Sequence, residues 1–292
     1  MPKKYLIAFA FLSQAFFGFS QSERYIDSLQ QAIKLEKVDT IRCQKLIYAG
    51  TYLMYSQPEE ALKYARQAVE IARKSNYTKG EGEALQLIGG IFTMKGNSVY
   101  GLDYFLQGLR KIEEGGTAVE IGEALSLVGY AYYRQGDYKK YLEYMHKALK
   151  IAQRANSDYL KFFTIANIGD GYERMDQLDS AAYYVSLAQQ ITSEMKYKVN
   201  VALLNNITGN IYRKRGKFSL ALEYYRQSAP FLETNKIDEP LIETYLGMSK
   251  SFYGLNQIDS ALHYSKKALK ISQNGAFTQE SLKRASSLPI TT

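Results

Sequence analysis

Apolar and polar positions in this chain follow the 3.6-residue period of amphipathic helices almost throughout. In residues 125–149, LSLVGYAYYRQGDYKKYLEYMHKAL, two such stretches meet at Gln135-Gly136-Asp137, with small and aromatic residues where paired helices must touch. The arrangement recurs at a fixed interval. Small residues fall at Ala49, Gly89, Gly129, Gly169, Gly209 and Ser249, each 40 residues after the last. An aromatic follows three positions later every time, at Tyr52, Phe92, Tyr132, Tyr172, Tyr212 and Phe252. The second stretch of each pair carries Ala61, Gly101, Tyr141, Ala181, Ala221 and Ala261, then Ala68, Gly108, Ala148, Ala188, Ser228 and Ala268. Four columns in register over six copies establish an internal repeat of helical pairs. Small side chains seven apart share a helix face and admit a neighbouring helix, and the aromatic fills the space left between.

Breakers and caps refine the elements. Gly96, Gly136 and Gly216 sit where the first helix must end with positive φ. Pro58 opens a second helix, where its missing N–H costs nothing. Pro230 falls late in the fifth second helix and predicts a shortened or kinked element. Tyr141, in a column of small residues, predicts looser packing in the third pair. Before the repeats, residues 21–38 read as a lone amphipathic helix built on Tyr25, Leu29, Ile33 and Leu35, and Asp39-Thr40 begins the next helix with an N-cap residue. A seventh copy would place its small residue at Pro289 and fails there. Residues 274–292 are therefore either a capping helix over 279–288, with Leu282, Ala285 and Leu288 inward, or a truncated repeat.

The four columns and the glycine turn resemble the tetratricopeptide repeat (TPR) across residues 40–272. Two features depart from it. The tryptophan early in the first helix is replaced by Lys45, Leu85, Leu125, Ile165, Asn205 and Tyr245, and the period is 40 rather than 34. The longer period resembles variants in kinesin light chain and in peptide-sensing bacterial regulators. The resemblance implies an all-α, right-handed TPR-type α-solenoid of six helical pairs over residues 39–273, with an N-terminal extra helix and a C-terminal capping helix. It also implies a superhelix whose concave face is lined by the first helices.

Composition narrows the function. The net charge of +8 is spread along the chain without a Lys/Arg block, which reads as a solvated basic surface and no nucleic-acid partner. Lys3-Lys4 precede the apolar run YLIAFAFLSQAFFGFS, so residues 1–20 read as a signal peptide cleaved after Ser20, leaving about +6. The protein is expected to be exported, periplasmic or secreted. No Cys stands directly after the leader, so no lipid anchor is indicated, and any membrane attachment would come from that segment left uncleaved. Cys43 stands alone among Ile41, Leu46 and Ile47 as a small buried or groove-lining residue, so no intramolecular disulfide forms.

No HExxH, CxxC pair or phosphate-binding GxxxxGK[ST] occurs, and His146 and His263 lie in different repeats. The expectation is no catalytic residue, no metal ligand set and no cofactor. The carboxylate pairs Glu59-Glu60 and Glu113-Glu114 suit helix ends and turns. Asp27-Ser28, Asp39-Thr40, Asp179-Ser180 and Asp259-Ser260, each followed by an apolar residue, resemble the acceptor motif of a bacterial O-glycosylation system; Asp and Ser are equally at home at helix N-termini.

Binding remains. Positions −6, −3, +1, +4 and +5 from each small residue share one face of the first helix. In the first two repeats this stripe is apolar or small, with Cys43, Leu46, Leu53, Met54 and Met94. It then turns polar, and the candidate groove residues are Tyr130, Tyr133, Arg134, Asp170, Arg174, Asn206, Asn210, Arg213, Lys214 and Lys250. The resemblance gives such asparagines and cations the task of holding peptide backbone and carboxylates. The expectation is a non-enzymatic scaffold or adaptor that binds a protein or peptide with an acidic or carboxylate feature near Arg174, Arg213 and Lys214. The alternative is the sensor portion of a bacterial signal-transduction protein, a histidine kinase or helix-turn-helix regulator, whose output domain is absent from this chain.

Overall fold

The computed structural model describes residues 19–192 and 198–274. The expectations placed on residues 1–18 and 275–292, which hold most of the signal peptide and the capping helix or seventh repeat, lie outside them. Among the described residues every regular element is an α-helix: α1 Phe19–Leu35, α2 Asp39–Leu53, α3 Pro58–Lys74, α4 Thr78–Met94, α5 Ser98–Gly115, α6 Ala118–Arg134, α7 Tyr138–Arg154, α8 Asp158–Arg174, α9 Leu178–Thr192, α10 Lys198–Lys214, α11 Phe218–Thr234, α12 Asp238–Gly254 and α13 Ile258–Asn274. No described helix is long and apolar enough to cross a membrane.

The helices fall into two units, one within Met1–Asn156 carrying α1–α7 and one within Ser157–Thr292 carrying α8–α13. In the first, α2 packs on α3, α4 on α5 and α6 on α7, and α2, α4 and α6 touch in turn to form a layer of first helices. The second repeats this plan, with pairs α8–α9, α10–α11 and α12–α13 and a layer of α8, α10 and α12.

Packing explains the columns. Ala61, Ala68, Ala148, Ala181, Ala188, Ala221, Ala261 and Ala268 are all wholly buried between paired helices. The tightest crossing is α4 on α5, where a methyl at Gly89 would lie 2.9 Å from the Gly101 carbonyl oxygen. In five of the six pairs the first-helix aromatic stacks on a second-helix tyrosine twelve residues later: Phe92 on Tyr104 (5.6 Å), Tyr132 on Tyr144 (5.5 Å), and Tyr172 on Tyr184, Tyr212 on Tyr224 and Phe252 on Tyr264 (each 5.4 Å), whereas Tyr52 meets Tyr25 of α1 at 5.2 Å. Such offset stacks add about 0.5–1.5 kcal/mol each beyond area burial.

The turns keep the same register. Gly96, Gly136 and Gly216 have φ of 82°, 79° and 73°, and Asp176 and Asn256 take the equivalent left-handed place in their repeats. Between one pair and the next, Asn76, Asn156 and Lys236 do the same, with φ near 50°. Asparagine tolerates this region because its short side chain bonds locally, whereas lysine has no such compensation.

Four local expectations change. Asp39 does not cap α2: it is the first helical residue, after Val38, and its carboxylate pairs with Arg42 at 3.0 Å. Asp27-Ser28 lies inside α1, where the Ser28 hydroxyl donates to the Tyr25 carbonyl. Pro230 does not shorten α11, which runs the full 17 residues of its neighbours. Its missing N–H deprives the Arg226 carbonyl of a donor, but burial of Ala229 and Leu232 on either side holds the helix together. Tyr141 does not loosen the third pair: it is 3% exposed, and its ring meets the edge of Tyr133 at 5.1 Å, so an aromatic contact takes up the extra volume.

Candidate functional site

The ten candidate residues divide between the units. In the first, Tyr130, Tyr133 and Arg134 end α6. The rings of Tyr130 and Tyr133 stack 6.4 Å apart, and the Arg134 guanidinium lies 5.9 Å from the Tyr130 centroid. Toward the start of α6 this face is acidic. Lys79 forms ion pairs with Glu120 and, at 3.8 Å, with Glu83. Glu123, one turn after Glu120, has its carboxyl pushed up to about 7, first by burial and then by the charges of Glu120 and Glu83. Cys43 is buried in the core beneath, its thiol pushed up to about 12 by burial and donating to the Ala68 carbonyl.

The larger group belongs to the second unit, on α8, α10 and α12. Arg174 reaches from α8 to Glu243 on α12 at 2.7 Å, and its Nε lies 3.5 Å from Asp170 and 3.7 Å from Glu173. Lys214 lies 3.0 Å from Glu173, 2.6 Å from Asp176 and 2.6 Å from the Glu173 carbonyl oxygen. Glu173 is 2% exposed, a burial a carboxylate tolerates only with cations beside it. Acids crowd Arg174, and the Asp170 carboxyl is pushed up to about 6 by burial, with Glu173 and Glu243 adding to the rise against Arg174. Asp176 is held low by its hydrogen bond from Lys214. Arg174 and Lys214 are thus neutralised by the chain's own carboxylates.

The asparagines differ from each other. Asn206 is buried, donating through Nδ2 to the Pro240 carbonyl and accepting at Oδ1 from Thr244, so both ends of its amide join α10 to α12. Asn210 accepts at Oδ1 from the Tyr225 hydroxyl, 2.7 Å away, and its Nδ2 makes no hydrogen bond among the described residues. The Arg213 charge acts on the same phenol, against the effect of burial. Among the described residues no carboxylate lies within ion-pair distance of Arg213, and its Nε has no hydrogen-bond partner. Lys250 is exposed on α12, about two turns beyond Glu243.

Three participants carry no mark in the periodic pattern. Glu243 is 69 residues from Arg174, too far for any local spacing to pair them. Tyr225 occupies a column that otherwise reads Ala65, Phe105, Met145, Val185 and Ser265, with no constant size. Gly247 stands two residues before the expected small position. Tyr225 is fully buried and its ring passes between Gly209 and Gly247. A methyl at Gly209 would lie 2.6 Å from the ring, and one at Gly247 would collide with its hydroxyl end. Burial raises the phenol's pKa, so the hydroxyl stays protonated. No group of three or more His, Cys, Asp or Glu among the described residues is placed to hold a metal ion.

Residues 122–158 match the family described as Tetratricopeptide repeat. No curated protein matches the chain by sequence. Solved structures do match. A Rap protein complexed with Competence and Sporulation Factor superposes with a TM-score of 0.71 at 18% identity, over 88% of this chain and 72% of that one. NprR in complex with its cognate peptide NprX gives 0.68 at 18% identity, over 91% and 77%. A signal-transduction ATPase with a tetratricopeptide repeat sensor, from Pyrococcus horikoshii, gives 0.62 at 18% identity, over 86% and 39%. At these identities the likeness is one of fold.

Proposed function

We propose that this chain, which matches the tetratricopeptide repeat over residues 122–158 and shares its fold with solved repeat proteins, is a scaffold or adaptor without chemistry of its own, which holds a peptide or protein segment on the first-helix face of the second unit. The observation that carries the reading is the contrast among the cations of that face. Arg174 and Lys214 are committed to Glu243, Glu173 and Asp176, while Arg213 and the Asn210 amide nitrogen are donors with no acceptor among the described residues. Donors alone recognise acceptors, either the carbonyls of an extended backbone or a carboxylate. The acidic feature expected of the ligand is therefore assigned to Arg213 rather than to Arg174 or Lys214. Tyr130, Tyr133 and Arg134 offer a separate aromatic contact in the first unit. The complex of NprR with its cognate peptide supports a ligand of this class.

Selection from a random dodecapeptide display library on the full chain tests the reading. Peptides should be enriched over bare support, and Arg213→Glu should weaken their binding at least about tenfold, the worth of one charge-assisted hydrogen bond. Lys250→Glu should change it little. No enrichment, or an indifferent Arg213→Glu, would overturn the proposal. Lys214→Glu is unsuitable because it strands the buried Glu173.

The reading places the protein outside the cytoplasm, on the strength of Lys3-Lys4 and the apolar run after them. The mature chain recovered from the native host should begin at Gln21 by mass spectrometry, and an intact Met1 would count against export. The second reading, an input portion for a sensor, draws on the likeness to the ATPase with a repeat sensor, of which this chain covers 39%. An open frame continuing beyond Thr292 into an output domain would decide for it.

A further inference from the structure

We infer that Tyr225 is a positioning residue for the donors on α10: its hydroxyl, carried past Gly209 and Gly247 to the first-helix face, fixes Asn210 with its amide nitrogen outward near the Arg213 guanidinium, so that this point accepts hydrogen-bond acceptors and refuses donors. The inference rests on the reading that a ligand lies on this face, and adds what sets its specificity there.

The orientation follows from proton counting. A phenol has one proton to give, and a carboxamide oxygen can only accept. The Tyr225 proton goes to Asn210 Oδ1 at 2.7 Å. With its oxygen engaged, the Asn210 amide turns its nitrogen away, where no described group receives it. Arg213 lies three residues further along α10, on the same face.

Departures from the repeat show that the arrangement is built. The positions equivalent to Gly247 are Ile47, Leu87, Leu127, Asn167 and Ile207, all large. Glycine replaces them only where Tyr225 needs the passage. Phenylalanine would fill the same space, as Phe105 does in the second pair, so packing accounts for the ring and not for the hydroxyl. Burial keeps the phenol protonated across the physiological range, so it goes on donating to Asn210.

Tyr225→Phe in the full chain separates hydroxyl from ring. The readout is the 15N NMR signals of the Asn210 side-chain amide and Arg213 Nε during titration with sodium acetate or methylammonium chloride. Acetate should shift both signals in the wild type and methylammonium neither. Tyr225→Phe should keep the wild-type unfolding midpoint and weaken the acetate response about tenfold, as loss of one orienting hydrogen bond implies. Tyr225→Phe titrating like the wild type would overturn the inference, as would wild-type signals that ignore acetate or answer methylammonium equally. Peptide selection that fails while acetate behaves as stated sinks the peptide reading alone. Peptides that bind Tyr225→Phe and wild type alike sink the positioning role alone.

Discussion

Lys236 turns the chain between α11 and α12 at φ 52°, where the equivalent positions carry Asn76 and Asn156. A left-handed backbone costs an ordinary L-residue about 1–2 kcal/mol, and glycine escapes most of that. Lys236→Gly should therefore stabilise the protein by about 1 kcal/mol, read as a higher denaturation midpoint with an unchanged slope. Glu123 makes a pH-dependent statement. Its folded pKa of about 7 lies above its ordinary 4.5, so the folded state holds this proton more tightly than the unfolded chain. Stability from this group is full below about pH 4.5 and is lost as pH rises through 7. Asp170 acts in the same sense between about 4 and 6. Glu123→Gln should accordingly raise the melting midpoint at pH 8, by the equivalent of about 1–3 kcal/mol, and scarcely move it at pH 5. Equal gains at both pH values would refute that account. Neither effect is legible in the sequence, because Lys236 obeys no capping rule and the charges around Glu123 come from two helices.

At the scale of elements, what recurs was readable and what departs was not. The small and aromatic columns repeat every 40 residues, so they could be found by counting. The tyrosine column Tyr64, Tyr104, Tyr144, Tyr184, Tyr224 and Tyr264 is equally periodic, and it acquires meaning only when its rings from Tyr104 onward are seen stacked on the first helices. The Tyr225–Gly247 fit and the Arg174–Glu243 bridge are single exceptions, invisible to any period. Gly247→Ala should therefore cost about 1–3 kcal/mol through overpacking against Tyr225, although alanine is the better helix former. Pro230 makes the opposite case: it is exposed and breaks one hydrogen bond of α11 without ending it. Pro230→Ala restores the donor to the Arg226 carbonyl and should stabilise by about 1–3 kcal/mol in thermal denaturation.

At the scale of the molecule, the repeat makes length negotiable in whole periods. Removing residues 78–117 excises α4 and α5 and brings α6 to the phase α4 had, so the columns still meet. That deletion should give a soluble protein with unchanged helicity per residue by circular dichroism and a lower melting midpoint, as nearest-neighbour stacking requires. Removing residues 78–97 instead leaves two second helices in succession and should abolish cooperative unfolding. The stacked tyrosines have one more consequence. The chain holds 26 tyrosines and no tryptophan, so nothing outshines them in the near ultraviolet. Pairs such as Tyr132–Tyr144 and Tyr212–Tyr224 set two like chromophores about 5.5 Å apart, close enough for their transitions to couple. Each such repeat therefore carries its own optical gauge, a coupled signal that disappears when first and second helix part, and the opening of individual pairs can be followed in the unlabelled protein.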